Sequence, residues 1–156
     1  KNDHYLCVDS DLIFNRTINL FDGEKSKFFI SDRDQKHDPY FSFMKMAYDL
    51  ERQVDFTFIN DFMMFDKSIC REIVPSVGKF LELCNNNVSD ECLLSEFELY
   101  GNYVTKHHPD LYTFKNTKTQ TNGRFAHQPW HKEEIINLLE ANVDKDIDLF
   151  TVHSWT

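Results

Sequence analysis

Apolar residues run along this chain in two rhythms. Stretches where aromatic and branched residues crowd or alternate predict four short strands: HYLCVDSD from His4, KFFIS from Lys27, DFTFIND from Asp55 running on into FMMFD, and DLFTVHS from Asp148. Between them the spacing becomes helical. DPYFSFMKMAYDL carries Pro39 near its start and one apolar face of Phe43, Met46, Ala47 and Leu50. KSICREIVPSVGKFLELC places Ile69, Ile73, Val77, Phe80 and Leu81 on a helix that Pro75 bends or breaks. SEFELYGNYV and HKEEIINLLEANV, the latter with Ile135, Ile136, Leu138 and Leu139, complete the set. Asn116 to Arg124, NTKTQTNGR, is polar and ends at a glycine turn signal, so it reads as a surface loop. Strands alternating with helices predict an α/β domain with a mixed sheet flanked by helices, and the 156 residues form a single domain, 1–156.

Composition narrows the partners. Hydrophobic residues make up 41% of the chain and 15 are Phe, so a core of large flat side chains is expected. The net charge of −9 repels phosphate backbones and anionic membranes on average, which excludes nucleic acid as a default partner. Cys7, Cys70, Cys84 and Cys92 contain no CxxC pair and sit among apolar neighbours, as expected of reduced, buried thiols in a cytoplasmic protein. No apolar run is long enough to cross a bilayer, and the first residues lack a signal-peptide pattern.

Four constellations carry chemistry. Asp9 and Asp11 follow the apolar run Tyr5 to Val8, and ligand sites lie beyond the carboxyl ends of such strands. If the strand continued, alternation would put both carboxylates on one face, where they reach water, share a proton or share a hard divalent cation. In LLSEFELYGNYV, Ser95 and Glu98 fit a capping box, while Glu96, in the first helical turn, is a general-base or acceptor candidate or a solvated helix-start carboxylate. Asn60 and Asp61, inside an apolar run, either turn the chain or line a pocket. His153, after the last strand, can give a nitrogen to a metal such as manganese. His127 and His131 have helical zinc spacing, but Pro129 between them speaks against that site. Arg124, with Lys115, Lys118 and Lys132, makes the polar loop the most basic region, suited to a phosphate or simply solvated.

An apolar strand ending in DSD, then INDFMMFDK, then SEFELYGNYV, then a histidine near the C-terminus resembles the GT-A type of nucleotide-sugar glycosyltransferase. More narrowly it resembles a bacterial glycosyltransferase group long catalogued as a domain of unknown function. The resemblance runs from Tyr5 to His153, with SEFELYGNYV its most specific string. It implies the Asp-x-Asp-containing C-terminal half of a GT-A fold, because only eight residues precede Asp9, so the chain is expected to be a portion of a longer enzyme. It further implies a divalent cation, Mn or Mg, with Asp9 and Asp11 as metal or ribose ligands, His153 as a candidate third ligand, and Glu96 as the candidate catalytic base or acceptor contact. Asn60, Asp61, Glu98 and Arg124 are then expected to bind substrate: a nucleotide-sugar donor and a glycan or other hydroxyl acceptor, as in surface-polysaccharide synthesis. DSDLIF also resembles the opening of haloacid-dehalogenase-like phosphatases, with Asp9 as nucleophile and Ser31 as a second motif. A third reading is a non-enzymatic acidic interaction domain.

Overall fold

The computed structural model describes residues 3–30, 37–124, 130–143 and 145–154, and only the backbone of residues 123, 124, 153 and 154. Within them the fold is mixed α/β. Strand β1 (His4–Val8) pairs antiparallel with β5 (Phe62–Asp66). A second sheet has the order β2 (Leu12–Phe14), β8 (Leu149–Ser154), β7 (Thr119–Arg124), and a third the order β3 (Phe21–Asp22), β4 (Lys25–Ile30), β6 (Tyr112–Asn116). The expected single mixed sheet is therefore three small ones. The reason lies in the first strand, which ends at Val8: the Leu12 amide donates to the Asp9 carbonyl at 3.2 Å, a turn that sends β1 and β2 to different partners.

Two further expectations change. The polar stretch read as a loop contains β7, parallel to β8. Leu149, Phe150 and Thr151 of β8 are wholly buried, so their backbone groups need partners on both edges, and the β-branched Thr119 and Thr121 suit the added strand. Conversely, 55–61 forms no strand despite its alternation. Thr57 and Phe58 are buried as irregular chain, and helix α4 (Glu96–His107) supplies their hydrogen-bond partner.

The helices fall where their sequence signals place them, but the expected apolar faces turn inward only in part: α1 buries Phe43 and Met44 rather than Met46, and Met46, Val77 and Leu81 are exposed. Helix α1 spans Asp38–Tyr48, and Pro75 separates α2 (Lys67–Ile73) from α3 (Val77–Asn87). Asp66 caps α2, accepting from the amides of Ser68 at 2.7 Å and Ile69 at 3.4 Å. Burial pushes the Asp66 carboxyl up, but the hydroxyl and amide of Ser68, the Ile69 amide and nearby His4 outweigh it and hold the group below its ordinary range. Helix α5 spans Lys132–Glu140. Among the described residues no helix is long and apolar enough to cross a membrane.

Aromatic rings fill the core. Phe28 on β4 stacks on Tyr112 with centroids 4.3 Å apart and meets Phe58 edge-on at 5.2 Å. Gly101 explains why α4 carries a glycine at mid-helix: a Cβ there would lie 2.2 Å from the Phe58 ring. Gly101→Ala is therefore expected to destabilise the fold by about 1–3 kcal/mol through overpacking, despite alanine's better helix propensity. A urea midpoint at or above that of the parent protein would refute it. All four cysteines are free, but only Cys92 is buried; Cys70 and Cys84 are half-buried and Cys7 is exposed, because alternation along β1 turns Tyr5 and Cys7 away from the inward Leu6.

Candidate functional site

The Asp9-Ser10-Asp11 turn is the junction of two sheets. The Asp9 amide donates to the Asp61 carbonyl at 2.8 Å, continuing the β1–β5 ladder by one residue, and the Val152 amide donates to the Asp11 carbonyl at 3.0 Å, continuing β2–β8. Backbone pairing thus gathers Asp9, Asp11 and Asp61 and sets the backbone of His153 one residue beyond the partner of Asp11. The parallel strands β7 and β8 end together here, with Arg124 paired to Ser154 and Gly123 to His153. Carboxyl ends of parallel strands are where such folds leave room for ligands. The side chains of Arg124 and His153 lie outside the described residues, as do Ser31 and His127.

The carboxylates differ in setting. Asp9 is exposed, Asp11 half-buried, and Asp61 only 2% exposed. Their donor chemistry, carboxylate oxygen alone, fits a hard cation such as magnesium or manganese that completes its shell with water and diphosphate oxygens. Among the described residues no three His, Cys, Asp or Glu side chains form a metal-holding group. Asn60 beside them is committed to the fold: its Nδ2 donates to the Phe29 carbonyl at 2.6 Å and its Oδ1 accepts from the Asp61 amide at 2.8 Å. It ties β4 to the start of β5 and so fixes where Asp61 stands.

The SEFELYGNYV segment divides its work between core and surface. Ser95 caps α4 by accepting from the Glu98 amide at 3.3 Å, which is half of the expected capping box. The Glu98 side chain does not complete it. Fully buried, it accepts from the Thr57 hydroxyl at 2.5 Å and the Phe58 amide at 3.0 Å through Oε1, and from Asn102 Nδ2 at 3.1 Å through Oε2. Asn102 in turn accepts from the Gln53 amide at 2.7 Å, so α4 clamps the irregular segment that precedes β5. Glu98 is placed in this clamp, away from any surface a substrate reaches. Glu96 is exposed, at the first turn of α4.

Glu96 stands on the rim of a cavity of about 360 Å³ between β1, β5 and helices α2 to α4. Tyr5 and Cys7 form its β1 wall, and Asp9 follows them at the same alternating parity. Partial burial first, then the charges of Glu96 and Asp9, push the Cys7 thiol up. Glu96→Gln is therefore expected to lower that pKa and speed alkylation of Cys7 by iodoacetamide severalfold at mildly alkaline pH. Peptide mapping reads this directly, and an unchanged rate would place Glu96 too far from Cys7 to matter. The cavity and Cys7 were missed in the sequence, although the shared parity of Tyr5, Cys7 and Asp9 was the signal for them. Of the basic residues around the polar stretch, Lys118 pairs its ammonium with Asp146, which also binds Arg16 at 3.0 Å.

Compared with known proteins, the chain matches no family model and no curated protein at a significant level.

Proposed function

We propose that this chain belongs to a metal-dependent glycosyltransferase that moves a sugar from a nucleotide-sugar donor to a hydroxyl acceptor. The observation that carries the reading is the meeting of the DSD turn with Asp61 and with the β8 end that bears His153, while Cys7, two residues before Asp9, lines one cavity with Glu96. Asp9 and Asp11, with His153, would hold the cation, and the buried Asp61 pairs its backbone with Asp9. When bound, a divalent cation neutralises the charge on the donor diphosphate.

The remaining steps belong to the chain's own groups. The acceptor hydroxyl oxygen forms a bond to the anomeric carbon, and the bond from that carbon to the diphosphate oxygen breaks, its electron pair staying on the diphosphate. The acceptor's proton passes to the Glu96 carboxylate, which is exposed at the cavity rim and able to reach a bound hydroxyl. Helix α4, anchored at its core face by Glu98 and Asn102, holds Glu96 in place for that transfer.

A screen of nucleotide sugars with manganese tests the reading. Donor turnover is expected to need the metal and to fall roughly 10²-fold or more in Asp11→Ala. Unchanged turnover in that variant would sink the metal-dependent mechanism. Phosphatase activity without any sugar donor would favour the haloacid-dehalogenase-like alternative instead.

A further inference from the structure

We propose that the acceptor is amphiphilic: a hydroxyl carried on an alkyl or aryl group that seats in the cavity beside Glu96. This rests on the transferase reading and adds the chemical class of the acceptor. Phe65, Ile73, Val74, Phe80, Leu94 and Leu99 supply most of the cavity wall. The Tyr5 hydroxyl and Cys70 thiol in the same wall face each other at 3.4 Å, so each already has a polar partner. Among the described residues Glu96 is the one charged residue of the lining, and Cys7, two residues before Asp9, lines the same cavity.

A bare sugar seated there would lose water from several hydroxyls and find one carboxylate in return, which is unfavourable. A hydrocarbon gains from every apolar wall atom it covers. The volume of about 360 Å³ lies within the range of about 300–1,000 Å³ typical of small-molecule sites. The apolar surface also continues outward. Val77, one turn before the wall residue Phe80 on α3, is 70% exposed, giving a longer chain a path out of the cavity along the helix. The polar end of such a ligand then falls at Glu96, with its hydroxyl toward the carboxylate and the DSD turn.

The test is binding, measured by calorimetry on the purified protein without donor, with monomeric octyl β-D-glucoside, phenyl β-D-glucoside and methyl β-D-glucoside as probes. Octyl and phenyl glucosides are expected to bind at least about tenfold tighter than the methyl glucoside. Phe80→Asp, on a helix with no buried residue, is expected to erase that difference with the melting temperature retained. Val74→Trp, which fills the cavity from the other side, is a second variant with the same expected result. Equal affinity for all three glucosides, or tighter octyl binding that survives both substitutions in folded protein, would overturn the proposal. Because binding is read without donor, a protein that binds octyl glucoside but transfers no sugar would count against the transferase reading and leave the apolar site standing.

Discussion

Glu98→Ala is expected to lower the free energy of unfolding by about 3–5 kcal/mol, a large share of the total stability of a domain this size. The Glu98 carboxylate is fully buried and accepts from three donors: the Thr57 hydroxyl, the Phe58 amide and the Asn102 side-chain amide. Truncation strips the Thr57 hydroxyl and the Phe58 amide of their acceptor in a place where water cannot replace it, while Asn102 Nδ2 keeps the backbone carbonyl of residue 98 at 2.8 Å; the cost of stranded buried donors exceeds the net value of the bonds themselves. Glu98→Gln separates the contributions. An amide oxygen can still serve Thr57 and Phe58, but its nitrogen then faces the donating nitrogen of Asn102, so an intermediate loss of about 1–2 kcal/mol is expected. Urea unfolding midpoints decide the matter. If Glu98→Ala unfolds within the error of the parent protein, the clamp between α4 and 53–58 is not what holds this segment.

The Glu98 clamp also shows where sequence reading succeeds and where it stops. Helices announced themselves because their signals are local: Pro39 at the start of α1, Pro75 between α2 and α3, and Ser95 at the cap of α4 each act on backbone within a turn of themselves. The strands β1, β5 and β8 were legible for a similar reason, since their apolar density survives without knowledge of a partner. Strand β7 was not, because nothing in TQTNGR is apolar and only the buried β8 beside it makes it a strand. DFTFIND misled in the opposite direction. Its apolar residues serve a segment in which the adjacent Thr57 and Phe58 are both buried and bonded to α4, forty residues and more away in sequence, rather than a pleat. The same non-local bonding redirected Glu98 from a local cap to a distant loop.

For the site, sequence order identified the DSD turn and Glu96 as residues with something to explain, but it could not say what the turn is fastened to. That depends on two amides, those of Asp9 and Val152, which fasten the turn to Asp61 and to the end of β8. Asn60, one residue from Asp61, looked equally suited to a ligand and is instead spent on the Phe29 carbonyl and its own neighbour's amide. Adjacent polar residues in an apolar run therefore divide, one holding the chain and the other standing at the junction.

Glu96→Gln is expected to reduce kcat for sugar transfer by about 10²–10⁴-fold, the usual contribution of a positioned general base. The substitution keeps size and hydrogen-bonding reach but removes the group that takes the acceptor's proton. Stability is expected to change little, within about 0.5 kcal/mol, because Glu96 is exposed and its helix is anchored through Glu98 and Asn102 on the opposite face. That pairing of outcomes distinguishes the two glutamates of one helix, two residues apart: Glu98→Ala loses the fold's clamp, and Glu96→Gln loses chemistry in a folded protein. Metal dependence gives a second separation, since the manganese concentration needed for half-maximal turnover should shift in Asp11→Ala and stay put in Glu96→Gln. Transfer at the parent rate by folded Glu96→Gln would remove the base from this mechanism, and the acceptor's proton would have to leave by a group other than Glu96.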